Sequence, residues 1–373
     1  MLEVYTPGHG SYLDTLIMCG ICWPLMEEDI NYTVTGINGT FKIEIEEVNC
    51  EELTNIVRSK LRNNKEGIEE LFSKYGLLGR DSLRKLERYL SDFLSKGDIS
   101  KFRRPGHAWE EGRGKKGQHA WLPLYPQMGK YLTGEFKYKP ENYGICPLCI
   151  TLASLGFYKA IIPVKPFPPE NFINLLLPSF DGTLTSEQLN LLLDELRSDY
   201  FGRIISSREF GNAAGILPLS VFTHLVVAFF TSQLLREIVR SKASWKILST
   251  RFEIVRGGLQ VRGYEEYTID RFVSSLVKLL EIDEDGDRKG RPRINPLERL
   301  NEITLSLLRP RKRRSGEVKE PEAAEALSIE ALYRFLATRR AIDLYSFSRQ
   351  IFKVLDKGLG KELCEELACL VKV

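Results

Sequence analysis

The alternation of apolar and polar residues predicts two β-hairpins in this chain. Residues 32–48 are rich in β-branched side chains that alternate with polar ones, and Asn38-Gly39 in their middle is a dipeptide that two-residue hairpin turns prefer. Residues 245–268 repeat the pattern on both sides of Gly257-Gly258. The sequence therefore predicts four strands, arranged as two hairpins.

Apolar residues at helical spacing occupy most of the remaining chain. The segment 50–96 predicts helices that are broken near Asn63-Asn64 and between Gly76 and Gly79. Thr185 and Gln188 fit a capping box, which marks the start of another helix. The predicted helices elsewhere are 12–23, 146–157, 185–200, 217–240, 269–282, 296–308, 326–338, 341–356 and 360–372.

These elements predict an α+β protein. The length of 373 residues suffices for two or three domains. We expect a mixed N-terminal body, residues 1–268, which carries the β-hairpins and a long basic loop, and a C-terminal helical bundle, residues 269–373.

The charges of the chain are strongly segregated. The net charge is only +3, but residues 101–139 hold nine Lys/Arg and three Glu, a local net charge of +6. Residues 288–314 hold ten Lys/Arg and two Glu, a local net charge of +8, so the rest of the chain is acidic. Two basic segments on an acidic body indicate a directed contact with a polyanion.

The first basic segment, the loop 101–145, interleaves its cations with aromatic residues and glycines. Cations bind phosphates and flat rings stack on bases, so this composition predicts a nucleic-acid contact. The basic linker 309–316 is a second candidate, exposed and mobile by its composition. The candidate nucleic-acid-binding residues are Lys101, Arg103, Arg104, Trp109, Arg113, Lys115, Lys116, Trp121, Tyr125, Lys130, Arg311, Lys312, Arg313 and Arg314.

A CxxC pair at Cys146 and Cys149 predicts half of a zinc site, because two thiolates at this spacing can hold one tetrahedral ion. His107 and His119 lie in the same loop and are the candidates for the other half. The pair Cys19-Gly20-Ile21-Cys22 is an alternative, although cysteines on an apolar helix are more often buried free thiols. We expect that the protein requires no cofactor, and that a zinc ion bound at the cysteines would have a structural role.

The sequence predicts a protein without an active site, since no Ser/His/Asp, Cys/His or paired-carboxylate set stands out. One alternative is a metal-dependent nucleic-acid-processing enzyme that uses the predicted histidine and cysteine ligands. A weaker one is a phosphohydrolase around Asp181, because residues 175–185 resemble the Asp-x-Asp-Gly-Thr-x-Thr motif of haloacid-dehalogenase-type phosphatases. Ser179 occupies the position of the nucleophile, and Pro178 interrupts the strand, so we interpret this segment as a turn and helix cap.

The odd number of cysteines, seven, argues against a disulfide framework and for a reducing compartment. No secretory signal opens the chain. The longest apolar run, 217–235, contains several polar residues and predicts a buried helix rather than a membrane span. We therefore expect a cytoplasmic protein with no membrane partner.

The N-terminal segment Pro7-Gly8-His9-Gly10-Ser11-Tyr12-Leu13-Asp14-Thr15-Leu16 resembles the opening of a known family. It is similar to the large subunits of type I CRISPR interference (Cascade) complexes, above all the archaeal type I-A, or Apern-subtype, form. Those chains begin with a short strand, a turn that contains Gly-His or Gly-Asn, and an Asp about five residues later. A CxxC in a loop-rich region and a helical C-terminus are also similar, and only the first twenty residues are motif-like.

The resemblance implies a role in antiviral defence without catalysis. Such a subunit recognises the protospacer-adjacent motif (PAM) of invading duplex DNA, stabilises the opened target and recruits the helicase and nuclease subunits. Pairing with the guide reads the sequence, so the protein needs only cations, a wedge and a few base contacts. The implied partners are crRNA, target double-stranded DNA, the Cascade backbone and small subunits, and the helicase and nuclease subunits. For Gly8, His9 and Asp14 we expect a structural turn.

Overall fold

The structure of the protein is a computed structural model, and its fold is α+β with a helical C-terminal region, as predicted. It describes residues 1–108, 118–119, 121–126, 144–166, 170–256, 258–282, 296–309, 311–312, 318–319, 323–354, 357–368 and 370–371.

The chain divides into two compact units. The first unit contains the sheet and the helices that cover it, and the second is helical. The first comprises Met1–Pro163, Asn171–Arg197 and Ser241–Glu266, and the second comprises Val164–Glu170, Ser198–Arg240 and Tyr267–Val373.

Among the described residues, the main sheet has seven strands in the order β1-β3-β2-β7-β8-β9, with β6 paired to β7. Its strands are β1 (Leu2–Tyr5), β2 (Tyr32–Ile37), β3 (Thr40–Ile45), β6 (Ile162–Val164), β7 (Phe172–Thr185), β8 (Ser244–Val255) and β9 (Gly258–Thr268). Two short antiparallel pairs lie outside it: β4 (Gln118–His119) with β5 (Gly144–Ile145), and β10 (Arg311–Lys312) with β11 (Val318–Lys319).

Both predicted hairpins are confirmed. β2 and β3 pair in the antiparallel sense up to Ile37 and Thr40, which leaves Asn38 and Gly39 as a two-residue turn. Both turn residues have positive φ, 51° and 78°, the conformation that selects Asn-Gly at this turn. In the second hairpin, β8 and β9 are neighbours in the sheet.

The interpretation of residues 175–185 as a turn was wrong, because they belong to β7, a 14-residue strand in the middle of the sheet order. Its residues 173–180 are all buried, so the sequence lacks the alternation of a half-exposed strand. Pro178 is tolerated within it: it faces Ile247 of β8, while the ladder with β2 begins only at Gly182. The helix cap is correct, since the Gln188 side chain accepts a hydrogen bond from Thr185 N at 3.1 Å.

Among the helices of the first unit, one is continuous where the sequence predicted a break. Helix α2 runs through Asn63-Asn64 without the predicted break. The Asn64 side-chain amide donates a hydrogen bond to the Lys60 carbonyl one turn earlier in the same helix. The break between Gly76 and Gly79 is confirmed. These helices are α1 (Ser11–Met26), α2 (Cys50–Lys74), α3 (Arg80–Lys96), α4 (Pro147–Ala160) and α5 (Ser186–Glu195), and a 3-10 turn, Ser100–Arg103, follows α3.

Helices α1 and α4 pack closely through two glycines. A Cβ atom added at Gly20 would overlap the Leu152 carbonyl oxygen, and one added at Gly156 would overlap the Leu16 carbonyl oxygen. Every residue of α1 from Tyr12 to Leu25 is buried. This backbone-to-backbone contact forms the centre of the first unit and fixes the position of the α4 N-terminus.

The second unit consists mainly of helices, and the predicted helices after residue 269 are confirmed. Predicted helices 185–200 and 217–240 were wrong in extent, since each region holds two helices separated by a short break. The helices of this unit are α6 (Asp199–Ile205), α7 (Arg208–Ile216), α8 (Leu219–Val227), α9 (Ser232–Arg240), α10 (Asp270–Ile282), α11 (Pro296–Leu308), α12 (Ala323–Thr338), α13 (Ala341–Val354) and α14 (Lys357–Ala368).

Helices α8 and α9 account for the longest apolar run. In the described part of the chain, no single helix has the length and hydropathy to cross a membrane. Helices α8 and α9 meet both criteria only when they are taken together, and a 103° bend separates them. His224 of α8 is half-buried, with its ring 4.6 Å from the Phe272 ring and its Nδ1 2.8 Å from the Ser220 carbonyl oxygen. Desolvation of the imidazole lowers the pKa of His224.

Candidate functional site

The predicted CxxC pair lies at the N-terminus of α4. Cys146 is the N-cap residue, and Pro147 occupies the first helical position, where its missing N–H costs no hydrogen bond. Cys149 N donates to Cys146 Sγ at 3.4 Å, and the two Sγ atoms lie 3.3 Å apart. The helix start therefore turns both sulfur atoms towards the same point.

His107 joins the two cysteines. Its Nε2 atom lies 3.3 Å from Cys146 Sγ, and the nitrogen and the two sulfur atoms are all within 4.8 Å of one another. The buried Phe102 ring contacts the imidazole edge to face at 5.4 Å. Ala108 N donates to the Pro7 carbonyl oxygen at 3.0 Å, which ties this segment to the N-terminal turn.

Of the other predicted ligands, the backbone of His119 comes near this cluster, whereas Cys19 and Cys22 lie apart from it. The β4–β5 pairing aligns His119 with Gly144, two residues before Cys146; the His119 side chain lies outside the described part of the structure. Cys19 and Cys22 are buried in the middle of α1 and do not belong to the cluster. The two CxxC pairs thus do not form one four-cysteine site.

The local electrostatics set Cys146 apart from the other thiols. The contact with Cys149 lowers the pKa of Cys146 to about 5, with further contributions from His107 and from the Cys149 backbone N–H, while burial opposes the shift. Burial raises the pKa of Cys19 to about 12 and that of Cys22 well above its usual value. Burial, with the neighbouring His107, lowers the pKa of His9 to about 3, so this ring is neutral.

Residues 8–14 form the expected structural turn. The Asp14 carboxylate accepts hydrogen bonds from Gly8 N at 2.8 Å and from Gly10 N at 2.7 Å. Both glycines have positive φ, which a side chain would disfavour. Burial raises the pKa of Asp14 to about 6, and the backbone hydrogen bonds oppose that shift.

The predicted cations that the structure describes with their side chains lie next to this cluster. Lys101 and Arg103 are exposed on the 3-10 turn and Arg104 is exposed just after it, while Phe102 between them is buried. The buried ring anchors the turn and the alternation directs the three cations to the surface, three to six residues before His107.

Trp121 and Tyr125 both pack against other residues of the protein. Trp121 is 8% exposed and its ring stacks on Tyr89 of α3 at 6.3 Å. Tyr125 is half-buried, and its ring lies over Gly10. Both rings contribute to packing around the N-terminal turn and α3, and stacking of either ring on a base stays a prediction.

A cavity of about 280 Å³ lies between Lys101 and Cys146. Sequence reasoning missed it, because the positions that line it come from distant parts of the chain, and the only signal was the amphipathic pattern of α3. Its lining includes Tyr89, Phe93, Lys96, Lys101, Cys146 and Leu148.

Several predicted residues fall outside the described part of the structure. Arg311 and Lys312 form β10, and their side chains are not described; Arg309 is exposed and pairs with Glu209 at 3.3 Å. The predicted residues outside the description altogether are Trp109, Arg113, Lys115, Lys116, Lys130, Arg313 and Arg314.

The environment of Asp181 does not resemble a phosphotransfer centre. Its carboxylate pairs with Lys246 Nζ at 2.9 Å across the β7–β8 ladder and accepts a longer hydrogen bond, 3.4 Å, from Gly39 N. Ser179 is buried with its Oγ 2.8 Å from Thr15 Oγ1. These contacts join the hairpin, the strand and α1, which is a structural role.

Comparison with known proteins identifies the family of the chain. The family model described as "CRISPR-associated protein (Cas_Csa4)" matches residues 2–289, more than three quarters of the sequence. No curated protein matches the chain. The match covers the sheet, the cysteine–histidine cluster and the first basic segment, and the chain belongs to the Cas_Csa4 family of CRISPR-associated proteins.

Proposed function

We propose that this chain is the large subunit of an archaeal type I-A (Apern-subtype) Cascade complex. In this role it recognises the PAM in target double-stranded DNA, stabilises the opened target and recruits the helicase and nuclease subunits. It acts without catalysis, beside crRNA and the backbone and small subunits. Membership in a CRISPR-associated family and the resemblance of residues 7–16 to such subunits support this proposal.

The observation that carries the proposal is the cationic turn at Lys101, Arg103 and Arg104. These three exposed side chains stand at the start of the segment 101–139, whose net charge is +6. Contacts of this kind position a protein on duplex DNA through its phosphates and carry no sequence information themselves. A short motif then needs only a few base contacts from the same loop.

The cavity beside this turn adds flat rings to the cations. Tyr89 and Phe93 supply aromatic surface, and Asp92 and Asp98 balance the charges of Lys96 and Lys101 in the same lining. Its volume of about 280 Å³ lies just below the range of about 300–1,000 Å³ for small-molecule sites, which suits one base better than a large cofactor. We therefore expect the opened strand next to the PAM to contact this region.

The binding of labelled duplex DNA to the purified full chain tests the proposal. Affinity is measured between about 50 and 200 mM salt for the wild type and for two double variants, Arg103→Ala/Arg104→Ala and Lys115→Ala/Lys116→Ala. Each lost phosphate contact lowers the salt slope by about 1 and the affinity at 0.1 M salt by about 5- to 10-fold. Arg334→Ala/Lys361→Ala removes two exposed positive charges from the second unit and is the matched control.

The proposal predicts weaker binding in both loop variants and unchanged binding in the control. Equal losses in all three double variants would mean that only net charge matters, and the assigned surface would be wrong. Cleavage of the duplex by the purified chain with a divalent metal ion would contradict the non-catalytic role and favour the metal-dependent enzyme.

A further inference from the structure

We propose that His107, Cys146 and Cys149 bind a zinc ion, with His119 as the fourth ligand. This site does not depend on the proposed function, because its evidence is the arrangement of the donor atoms. The three clustered ligands come from two segments that are separated by about forty residues of sequence, and His119 lies between these segments.

The distances between the donor atoms suit a tetrahedral zinc ion. Zn–S bonds of about 2.3 Å and Zn–N bonds of about 2.0 Å place neighbouring ligand atoms about 3.5–3.8 Å apart. The Cys146–Cys149 Sγ distance and the distance from His107 Nε2 to Cys146 Sγ are both 3.3 Å, and all three atoms lie within 4.8 Å of one another. The two 3.3 Å distances are thus within about half an ångström of the spacing that the ion requires.

The chemistry of these donors favours zinc over the hard cations. Two thiolates and imidazole are soft to borderline ligands, whereas Mg²⁺ and Ca²⁺ require oxygen. The N-terminus of α4 favours negative charge on the sulfur atoms, and Cys149 N donates to Cys146 Sγ. Phe102 holds the His107 ring at its edge, so the ligand is oriented before metal binds.

The backbone supports His119 as the fourth ligand. The β4–β5 pairing brings residue 119 opposite Gly144, so the chain returns to the CxxC at this point. Among the described residues, the three-member set is the one group of His, Cys, Asp and Glu that meets the spacing of a metal site. Of the predicted histidine ligands outside the cluster, His119 is the one whose backbone this register aligns with a residue two positions before Cys146.

A disulfide between Cys146 and Cys149 explains less of the arrangement. A disulfide needs an S–S distance of about 2.05 Å, and it gives the contact of His107 with Cys146 no role. A metal ion uses all three side chains. It also connects residue 107 to residue 146 and thereby closes the base of the segment 108–145, which carries six of the nine Lys/Arg residues of the first basic segment.

Metal analysis of the full chain tests the proposal. The purified protein is loaded with ZnCl₂, freed of excess ion and analysed for zinc, and a Co²⁺-loaded sample is examined by absorption spectroscopy. The variants are His107→Gln, Cys146→Ser, Cys149→Ser and His119→Gln. Cys50→Ser, which changes a half-buried cysteine outside the cluster, is the control.

The expected result is about one zinc per wild-type chain and per Cys50→Ser chain, and at least a tenfold weaker affinity in each ligand variant. The Co²⁺ spectrum of the wild type shows thiolate-to-metal charge transfer and the strong d–d bands of a tetrahedral site, a readout that does not depend on whether a variant folds. Wild-type protein without zinc, a Co²⁺ spectrum without thiolate bands, or zinc retained in Cys146→Ser would each overturn the proposal. Five free thiols instead of seven in freshly purified, denatured protein would favour the disulfide and also overturn it.

Discussion

The pair Cys19 and Cys22 and the pair Cys146 and Cys149 have the same spacing and lie on two helices that pack against each other, α1 and α4. The first pair is in the middle of its helix and buried on all sides, so the pKa of each thiol is raised. The second pair is at the helix N-terminus, and the pKa of Cys146 is lowered to about 5. The same CxxC spacing therefore gives opposite pKa shifts, because Cys146 has polar partners in Cys149 and His107 and the first pair is desolvated within its helix.

The two helices that carry these pairs, α1 and α4, contact each other through their backbones, and disrupting this contact should have the largest effect on stability. Gly156→Ala places a Cβ atom on the Leu16 carbonyl oxygen, and no rotamer change can relieve an overlap with backbone. We expect the free energy of unfolding to fall by about 3 kcal/mol or more. Denaturation with urea measures it.

Gly202→Ala serves as the control for this substitution. No atom lies within 4 Å of the added Cβ, and the position is inside helix α6, so the change should be neutral or slightly stabilising. If Gly156→Ala were as mild as the control, the close contact between α1 and α4 would be wrong.

The reactivity of the thiols in metal-free protein measures the difference between the two pairs directly. At pH 7 Cys146 is almost entirely thiolate, whereas Cys19 is thiolate in only about one molecule in 10⁵. A thiolate of low pKa is also a weaker nucleophile, and this lowers the expected ratio of the two reaction rates from about 10⁵ to about 10². We expect iodoacetamide to modify Cys146 at least about 100-fold faster than Cys19 or Cys22 in the folded protein, as followed by peptide mass spectrometry.

The pH dependence of this reaction provides its internal check. The rate at Cys146 should fall only below pH 5–6, and His107→Gln should move that fall to higher pH because one contact that favours the thiolate is removed. Equal rates at the two pairs would contradict the comparison.

Asp14 at the start of α1 gives the smallest expected effect. Burial raises its pKa to about 6 in the folded protein, against 3.8 as the usual value, so the folded state binds this proton more tightly than the unfolded state. The carboxyl group therefore contributes stability at low pH, and this contribution is lost as the pH rises through 4 to 6. Relative to Asp14→Asn, the wild type should gain about 2 kcal/mol between pH 7 and pH 4.5.

Unfolding of both proteins at the two pH values measures the effect of Asp14. A difference that does not change with pH, or that changes in the opposite direction, would mean that the hydrogen bonds from Gly8 and Gly10 outweigh burial.

Local patterns predicted the parts of the fold that depend on local chemistry. Asn38-Gly39 fixes its own turn, and Gln188 reaches back to Thr185 across one helical turn. The strand β7 was missed because burial on both faces removes alternation, and Pro178 lies in the part of β7 that does not pair with β2. No local pattern contains that information.

The same distinction holds for the candidate site. The spacing of Cys146 and Cys149 predicted their proximity, and the structure places His107, one of the candidates in the same loop, beside them. The cavity and the stacking of Trp121 on Tyr89 depend on how α3 packs against a segment far along the chain. Such contacts come from tertiary structure and leave no signal in the spacing of residues.

We have proposed that this CRISPR-associated chain recognises the PAM. Guide-loaded complexes assembled with and without the chain, and bound to a library of matched duplex targets whose short flanks are randomised, test this role. We expect a two- or three-base flank preference only when the chain is present, and a weaker preference with Arg103→Ala/Arg104→Ala. A flank preference that persists without the chain would contradict the proposed role.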